Sequence, residues 1–247
     1  MSVAPELSVV IPAYNEAERL PETIEKIRRY LAEKASPFEL IVVDDGSSDA
    51  TAERAEQAIG TLGRVIRLGR NRGKGHAVRR GMLAATGARR LMSDADLSTP
   101  IEDLPKLMAR LDAGAEVAIA SRALADSRIE IRQPSFRENV GRLFNAVVQV
   151  FVVSGIRDTQ CGFKLFTAEA ASLIFAAARL DGFAFDVEAL YLAKRAGLSV
   201  SEVGVTWRND EATRVTTLRG VVAFLDVARI VVNDWLGYYR DISASTR

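Results

Sequence analysis

Short apolar runs alternate with helix-like segments through the first half of the chain, and this alternation restricts the fold more than any other feature. The apolar runs predict strands over residues 7–12, 40–43, 65–68, 90–93 and 116–120. They are almost continuously apolar, which is typical of strands that are buried on both faces of a mainly parallel sheet. The sequence therefore predicts an α/β fold, with a twisted sheet covered by helices on both sides.

Helices are predicted after each of the first four strands. Pro21 suits a first helical turn, and the residues behind it repeat their apolar positions at helical spacing. Ser48 or Asp49 can cap a second helix. Pro12 is expected to end the first strand. The first predicted helix starts near Pro21, and the second continues to Ile59. The third covers about residues 75–85, and the fourth begins near Pro100.

Length and composition favour one domain over residues 1–247. The chain has a single cysteine, Cys161, which suits a reducing compartment. We find no secretory signal at the N-terminus, and the longest uncharged stretch, residues 143–156, is too short to cross a bilayer. We expect a cytoplasmic protein without a transmembrane helix, peripheral at the cytoplasmic face of the membrane.

Charge is unevenly distributed although the net charge is only +1. Residues 64–90 contain nine basic residues and no acidic one. A solvated helix face explains part of this run. No nucleic-acid-binding motif accompanies it, so nucleic acid is not expected as a partner.

Polar residues cluster where the predicted strands end. Ligands of such sheets bind beyond the carboxyl ends of the strands, so these residues predict one common crevice. They are Asn15 and Glu16, Asp44 and Asp45, residues 70–74, Asp94 and Asp96, and Ser121 and Arg122.

Two sets of segments resemble a known enzyme family. The first resembles family 2 glycosyltransferases of the GT-A fold, and the second resembles their dolichyl-phosphate β-glucosyltransferase branch. The resemblance covers about residues 7–230. The first set is residues 9–16, 44–47 and 94–96, and the second is residues 158–166, 184–188 and 205–207. We divide the domain into a nucleotide-sugar-binding part, about 7–122, and an acceptor-binding part, about 123–240.

The donor implied by this resemblance is a UDP-sugar. Asp44 and Asp45 can accept hydrogen bonds from uracil or ribose, or they can form an ordinary turn that caps the next helix. Glu16 is implied beside the base, or it is a charge at a helix start. The candidate donor-binding residues are Pro12, Tyr14, Glu16, Asp44, Asp45, Lys74, Asp94, Ala95, Asp96, Gln160 and Arg214.

Asp94 and Asp96 are the candidate metal ligands. Two residues apart in extended backbone, they can face the same side, and their oxygens suit Mg²⁺ or Mn²⁺ together with diphosphate oxygens. Such an ion would assist departure of the nucleoside diphosphate. A solvated acidic turn is the alternative. Ser98 occupies the place where relatives that make dolichyl-phosphate mannose often have Gln, so a third ligand is not assigned.

The acceptor decides the mechanism. A phosphomonoester is already ionised near pH 7, because its second pKa is about 6, so it needs cations rather than a general base. The alternative for the arginines after strand five is ion pairing with Asp126, Glu130 and Glu138. The candidate acceptor-binding cations are Arg122, Arg132, Arg137 and Lys164, and the candidate catalytic residues are Asp96, Arg122 and Asp158.

Several further residues have two interpretations. An apolar stripe behind Arg137 and Arg142 could rest on a membrane or belong to the core. Trp207 borders the sugar or is a buried aromatic, and His76 and Cys161 are expected to be structural. Arg214 replaces the Lys of a Gly-Ser-Lys segment found in relatives. The stripe consists of Phe144, Val147, Val148, Phe151 and Val152.

The expected reaction is an inverting transfer of glucose from UDP-glucose to a polyprenyl or dolichyl phosphate. The alternatives are another hexose donor such as GDP-mannose, a soluble acceptor, or a non-catalytic nucleotide-sugar-binding module. A processive polysaccharide synthase is not expected, because the chain has no Gln-x-x-Arg-Trp segment.

Overall fold

The computed structural model describes residues 4–34, 36–131, 148–149, 152–208, 217–240 and 242. Several residues singled out above lie outside these ranges, and their predicted roles stay predictions. They are Arg132, Arg137, Glu138, Arg142, Phe144, Val147, Phe151 and Arg214.

A seven-stranded sheet forms the centre of the molecule, in the order β3-β2-β1-β4-β7-β5-β8. All pairs are parallel except those of β7, which runs antiparallel to both β4 and β5. The predicted mainly parallel sheet is confirmed. The strands of this sheet are β1 (Leu7–Ala13), β2 (Phe38–Asp44), β3 (Gly63–Arg67), β4 (Arg89–Ser93), β5 (Val117–Ser121), β7 (Phe163–Thr167) and β8 (Val200–Gly204). A separate parallel pair is formed by β6 (Arg128–Ile131) and β9 (Thr206–Arg208).

Helices lie on both faces of the sheet, as predicted. Alternate residues of the central strands point into two separate clusters of buried side chains: Val10 belongs to one cluster, and Val9 and Ile11 belong to the other. The helices are α1 (Leu20–Ala32), α2 (Thr51–Ile59), α3 (Lys74–Ala84), α4 (Leu104–Asp112), α5 (Ala168–Ala177), α6 (Phe185–Arg195) and α7 (Thr217–Trp235), with single 3-10 turns at Gly60–Leu62 and Ile101–Asp103.

Two local predictions need correction. Pro12 does not end β1, which continues to Ala13 with Pro12 opposite Val43 of β2. Pairing with β4 stops at Val10, so the missing N–H of Pro12 falls where the strand has a neighbour on one side only. The segment near Pro100 starts as a 3-10 turn, and α4 follows it.

Over the described ranges, none of the helices is both long and apolar enough to span a bilayer. The division into donor-binding and acceptor-binding parts stays a prediction. Its second part contributes β7 to the middle of the sheet, so both parts share one core.

Candidate active site at the carboxyl edge of the sheet

The loops that follow β1 and β2 are hydrogen bonded to each other. Asn15 has a left-handed backbone, with φ of 57°, and its side-chain oxygen accepts from the backbone N–H of Ser48 at 2.9 Å. Its own N–H donates to Oγ of Ser47 at 2.8 Å. The N–H of Glu16 donates to Oγ1 of Thr51 at 2.7 Å. These bonds hold the two loops as one unit at the edge of the sheet.

The predicted base-binding residues lie on this unit. Pro12 is buried in β1, and Tyr14 is exposed next to it. The carboxylate of Glu16 pairs with Arg19, so in this structure it has the helix-start contact that the sequence left as its alternative. The N-cap position of α2 is Ala50 and not the predicted Ser48 or Asp49, although Oδ1 of Asp49, one residue earlier, accepts from the N–H of Thr51 at 3.0 Å.

Asp44 and Asp45 are both buried, and each holds a loop. Asp45 accepts from the backbone N–H of Arg72 at 3.0 Å and of Gly73 at 2.8 Å. Burial raises the pKa of Asp45, and these two hydrogen bonds act against that increase. Oδ1 of Asp44 accepts from the N–H of Ser47 at 3.2 Å. Contact of either carboxylate with uracil or ribose stays a prediction.

Glycines bring the loop before α3 close to the backbone of residues 180–182. Gly73 has φ of 115°, and a Cβ there would lie 2.3 Å from the carbonyl oxygen of Asp181. A Cβ on Gly75 would lie 2.5 Å from the carbonyl oxygen of Leu180. Any larger residue would push this loop outward, so both glycines determine where Lys74, between them, enters the site.

Lys74 brings a cation to the predicted metal ligands. Its Nζ lies 2.6 Å from Oδ1 of Asp94. Burial disfavours the charged form of Lys74, but the carboxylates of Asp94 and Asp186 outweigh this effect and raise its pKa. The side chain is therefore a lasting positive charge at the site.

The segment Asp94-Ala95-Asp96 is held by its neighbours. The carbonyl of Ala95 accepts from Oγ1 of Thr23 at 2.6 Å, and Oδ1 of Asp96 accepts from the N–H of Ser98 at 2.9 Å. Leu97 follows with φ of 47°, which is uncommon for a residue with a side chain. Backbone strain of this kind is often found at functional sites, and here it lies in the turn that reverses the chain directly after the two carboxylates.

The charges around these carboxylates suit a divalent cation. Burial and the negative charge of Asp94 raise the pKa of Asp96. Oδ1 of Asp94 is buried, and among the described residues its polar partner is Nζ of Lys74 alone. The three carboxylates here carry one more unit of charge than the two lysines. The carboxylates belong to Asp94, Asp96 and Asp186, and the lysines are Lys74 and Lys164. Asp94 and Asp96 therefore fit Mg²⁺ or Mn²⁺, which need only one or two protein carboxylates when substrate phosphates complete the shell.

A cluster of three or more protein metal ligands is not present in the part of the chain that the structure describes. Gly162 limits the space beside Asp94, because a Cβ there would lie 2.0 Å from Oδ2. The carboxylate thus has its position determined by close backbone approach on one side and by Lys74 on the other.

Arg122, at the end of β5, has a partner that the sequence did not predict. Its Nε and Nη2 donate to the two carboxylate oxygens of Asp158 at 2.7 and 2.8 Å, and its backbone N–H donates as well. The alternative to phosphate binding had paired the arginines after β5 with Asp126, Glu130 and Glu138. The guanidinium also lies 5.4 Å from the centre of the Trp207 ring, which is a buried aromatic.

The Arg122–Asp158 pair is charged in the folded protein. Burial alone would raise the pKa of Asp158, but Arg122 outweighs this effect and lowers it. The Arg122 side chain remains 29% exposed, whereas the Asp158 side chain is 7% exposed. Asp158 also accepts from the N–H of Gln160 at 3.2 Å. Because both of its oxygens are engaged, Asp158 acts in this structure as the residue that positions Arg122.

Lys164 is the clearest correction among the candidate site residues. It was predicted to bind the acceptor phosphate, but its side chain is only 1% exposed. Its Nζ pairs with Asp186 and donates to the carbonyl oxygen of Cys161 at 2.6 Å. Burial raises the pKa of Asp186, although Lys164 and Lys74 act against it. Lys164 therefore belongs to the core, and Asp186 is the site residue that sequence reasoning missed, although its segment was recognised.

Two residues have the structural roles that were expected. Cys161 is buried, and burial raises the pKa of its thiol to about 11. His76 lies 3.4 Å from Asp181 and next to Arg79, and burial lowers its pKa. Neither faces Asp94.

Comparison with known proteins decides the family. Residues 8–174 match the family model described as Glycosyl transferase family 2. The chain belongs to this family. It is 39% identical to a dolichyl-phosphate beta-glucosyltransferase of Drosophila melanogaster, over 94% of this chain and 75% of the relative. The protein of that name from Homo sapiens is 39% identical over 85% of this chain and 69% of the relative.

Solved structures confirm the predicted GT-A fold. A glucosyl-3-phosphoglycerate synthase from M. tuberculosis superposes with a TM-score of 0.68 at 21% identity, covering 93% of this chain and 80% of that one. A mannosyl-3-phosphoglycerate synthase from Rubrobacter xylanophilus gives 0.71 at 21% identity, covering 94% and 75%.

The buried Lys164–Asp186 pair generates a stability prediction. Lys164→Met leaves Asp186 buried without its cation, so we expect the free energy of unfolding to fall by about 3–5 kcal/mol. Urea denaturation followed by circular dichroism measures this. Lys26→Met, which removes an exposed ion pair with Glu22, is the control and should change little. Equal midpoints for both variants would contradict a structural role of Lys164.

Gly162 generates a prediction about the carboxylates. In Gly162→Ala the added methyl group pushes the carboxylate of Asp94 out of its place between Gly162 and Lys74, so we expect weaker Mn²⁺ binding. The atoms nearest to the methyl group all belong to the end of one side chain, which can rotate, so the unfolding midpoint should change little. Titration of Mn²⁺ by electron paramagnetic resonance in the presence of UDP measures binding. Gly69→Ala adds a methyl group with nothing within 4 Å and is the control. Wild-type affinity in Gly162→Ala would argue against Asp94 as a ligand.

Proposed function

We propose that the chain is an inverting hexosyltransferase that moves glucose from UDP-glucose to a polyprenyl phosphate and produces polyprenyl-phosphate glucose. The observation that carries this proposal is the 39% identity, along 94% of the chain, to a dolichyl-phosphate beta-glucosyltransferase. Transfer from an α-linked donor to a β-linked product requires inversion. The reacting phosphate oxygen attacks the anomeric carbon, and the bond to UDP breaks.

The donor would lie across the carboxyl edge of β1, β2 and β4. We assign the base and ribose to the unit that contains Tyr14, Glu16, Asp44 and Asp45, with Pro12 beneath it. Lys74 would face the diphosphate, because it is the cation that the loop before α3 brings to this edge. Gln160 and Arg214 complete the proposed donor contacts.

Asp94 and Asp96, with Ala95 between them, would hold Mg²⁺ or Mn²⁺ against the diphosphate. Structural neighbours at 22% identity were solved with Mn²⁺ and UDP-glucose or with Mg²⁺ and UDP. A bound divalent ion supplies positive charge that stabilises the departing UDP. Asp96 is the catalytic residue in this assignment because its carboxylate would help to hold that ion.

The acceptor phosphate would bind at Arg122. Asp158 accepts from one edge of the guanidinium and leaves part of it exposed, which suits a planar group that binds phosphate through several N–H bonds. Arg132 and Arg137, which lie outside the described residues, are proposed to join it. No general base is assigned, since the phosphate is already ionised at neutral pH. The polyprenyl chain stays in a bilayer, so we propose peripheral association with the cytoplasmic membrane face.

A soluble phosphate-bearing acceptor is the second candidate. It is favoured by the fold likeness to a synthase of glucosyl-3-phosphoglycerate, which shows no more than a shared fold at 21% identity. Parallel assays with 3-phosphoglycerate and polyprenyl phosphate separate the two candidates.

The central prediction concerns metal-dependent transfer. Radiolabelled glucose from UDP-glucose should appear in extracted polyprenyl phosphate, and EDTA or Asp96→Asn should lower the rate by about 100-fold or more, because roughly 3 kcal/mol of transition-state stabilisation is lost. Asp112→Asn changes an exposed carboxylate and should retain the rate. Label in 3-phosphoglycerate but not in lipid would overturn the acceptor assignment. Unchanged transfer in EDTA would overturn the metal assignment.

The Arg122 assignment has its own kinetic signature. Arg122→Gln removes the cation, so we expect KM for polyprenyl phosphate to rise by about tenfold or more while KM for UDP-glucose stays the same. Arg122→Lys keeps the charge but loses the planar donor set, and should give an intermediate value. A rise in KM for the donor alone would place Arg122 on the other substrate.

A further inference from the structure

The outward side of the last helix is apolar. Six large hydrophobic side chains on α7 and the turn after it are exposed, and Trp235 is the most exposed at 82%. The opposite side of the helix packs Val227 and Ile230 into the core. The exposed residues are Leu225, Val231, Val232, Trp235, Leu236 and Tyr238.

Four of these residues share one side of α7 and of the turn after it. Leu225, Val232, Trp235 and Leu236 are spaced by 7, 10 and 11 positions from the first, which places them on the same side of a helix. We call these four residues the α7 apolar face. Trp and Tyr near the end of such a helix are typical of the boundary between headgroups and hydrocarbon in a bilayer.

A basic side chain lies against the turn that follows α7. The guanidinium of Arg179 is 4.9 Å from the centre of the Tyr238 ring. Asp181, two residues further, pairs with Arg72 at 3.2 Å and with Arg79 at 2.8 Å. The segment 178–182 therefore connects α7 to the basic loop and helix at the entrance of the donor site.

This basic region has more positive than negative charge. Arg70 and Arg80 are exposed, and they line a cavity with Arg72 and His76. Arg72 is 45% exposed, and it shares the carboxylate of Asp181 with Arg79. An apolar helix face with an arginine-rich border complements a bilayer that carries anionic headgroups. In a two-fold dimer formed through the same patch, the arginine-rich borders would meet each other and repel.

We propose that the α7 apolar face, with its border of arginines, docks on an anionic lipid bilayer. This inference rests on the proposed function and names the surface that the enzyme turns toward the membrane. The donor side of the site lies next to α7. Gly182 lies against Asp226 of α7, and Gly73 and Gly75 touch residues 180–182 on the other side. Docking through α7 would thus hold the loop that carries Lys74, and with it the donor side of the site, near the headgroups.

Tryptophan fluorescence tests the contact directly. The chain has two tryptophans, and Trp207 is buried, so a change of emission on adding vesicles reports on Trp235. We expect a blue shift with vesicles of phosphatidylcholine and phosphatidylglycerol, a smaller one with phosphatidylcholine alone, and none in Trp235→Phe. An unshifted emission of the wild type with anionic vesicles would overturn the proposal.

Vesicle co-sedimentation measures the affinity. The double variant Trp235→Ser/Leu236→Ser should bind anionic vesicles roughly tenfold more weakly or worse, since it removes two large apolar groups from the contact. Leu83→Ser removes an exposed leucine from α3 and is the matched control, expected to bind like the wild type. Equal binding by the double variant would overturn the proposal. The proposal would also be overturned if analytical ultracentrifugation showed a concentration-dependent dimer of the wild type that the double variant does not form, while the double variant still binds vesicles.

Two acceptors separate this inference from the proposed function. With a short-chain polyprenyl phosphate in detergent, the double variant should transfer glucose at the wild-type rate, whereas with a long-chain acceptor in anionic vesicles its rate should fall roughly in proportion to binding. Loss of transfer to both acceptors would overturn the docking role, because the defect would not depend on a bilayer. If the wild type binds vesicles but transfers glucose to neither acceptor, the proposed function would be overturned and the docking surface would remain supported.

Discussion

A chain of alternating charges, fully buried at one end and partly buried at the other, holds the active-site edge together. Lys164 on β7 pairs with Asp186 on α6, and Lys74 at the start of α3 pairs with Asp94 after β4. Asp186 also attracts Lys74, so the two pairs act on each other. A buried charge without a partner is strongly destabilising, and the alternation therefore favours one arrangement of these four elements. The carboxylate of Asp94, the proposed metal ligand, takes its place from this arrangement rather than from its own loop alone.

Backbone packing adds the precision that the charges cannot supply. Gly162 approaches the carboxylate of Asp94 so closely that a methyl group would not fit, and Gly73 allows the loop before α3 to rest on residues 180–182. Asp45 fastens the same loop through two backbone N–H groups. Ionic pairing is tolerant of small displacements, whereas these contacts are not. Together they place one ammonium group and two carboxylates at the edge where parallel strands end.

Much of this could be predicted from the sequence, because its signals are local. Apolar runs predict strands such as β1 and β2, and the shared direction of parallel strands predicts that Asp45 and Asp94 meet. The direction of a strand in the sheet and the partner of a charged side chain are not encoded in local sequence patterns. The periodicity of residues 163–167 does not show that β7 runs antiparallel between β4 and β5, nor that Lys164 points into the core. The pairing of Arg122 with Asp158, 36 residues away, depends on a fold that no spacing rule contains.

The two sides of the site differ in charge in a way that fits a transfer between two phosphate compounds. Around Asp94 the carboxylates outnumber the lysines, and such a surplus suits a divalent cation, which under the proposed function would in turn hold the donor diphosphate. The Arg122 side chain is only partly buried beside Asp158, so an anion could approach it. If both sides were positive, the two phosphates would compete for one place. Under the proposed function, the difference in charge would hold the departing diphosphate at the Asp94 side and the attacking phosphate at the Arg122 side, as an in-line displacement at the anomeric carbon needs.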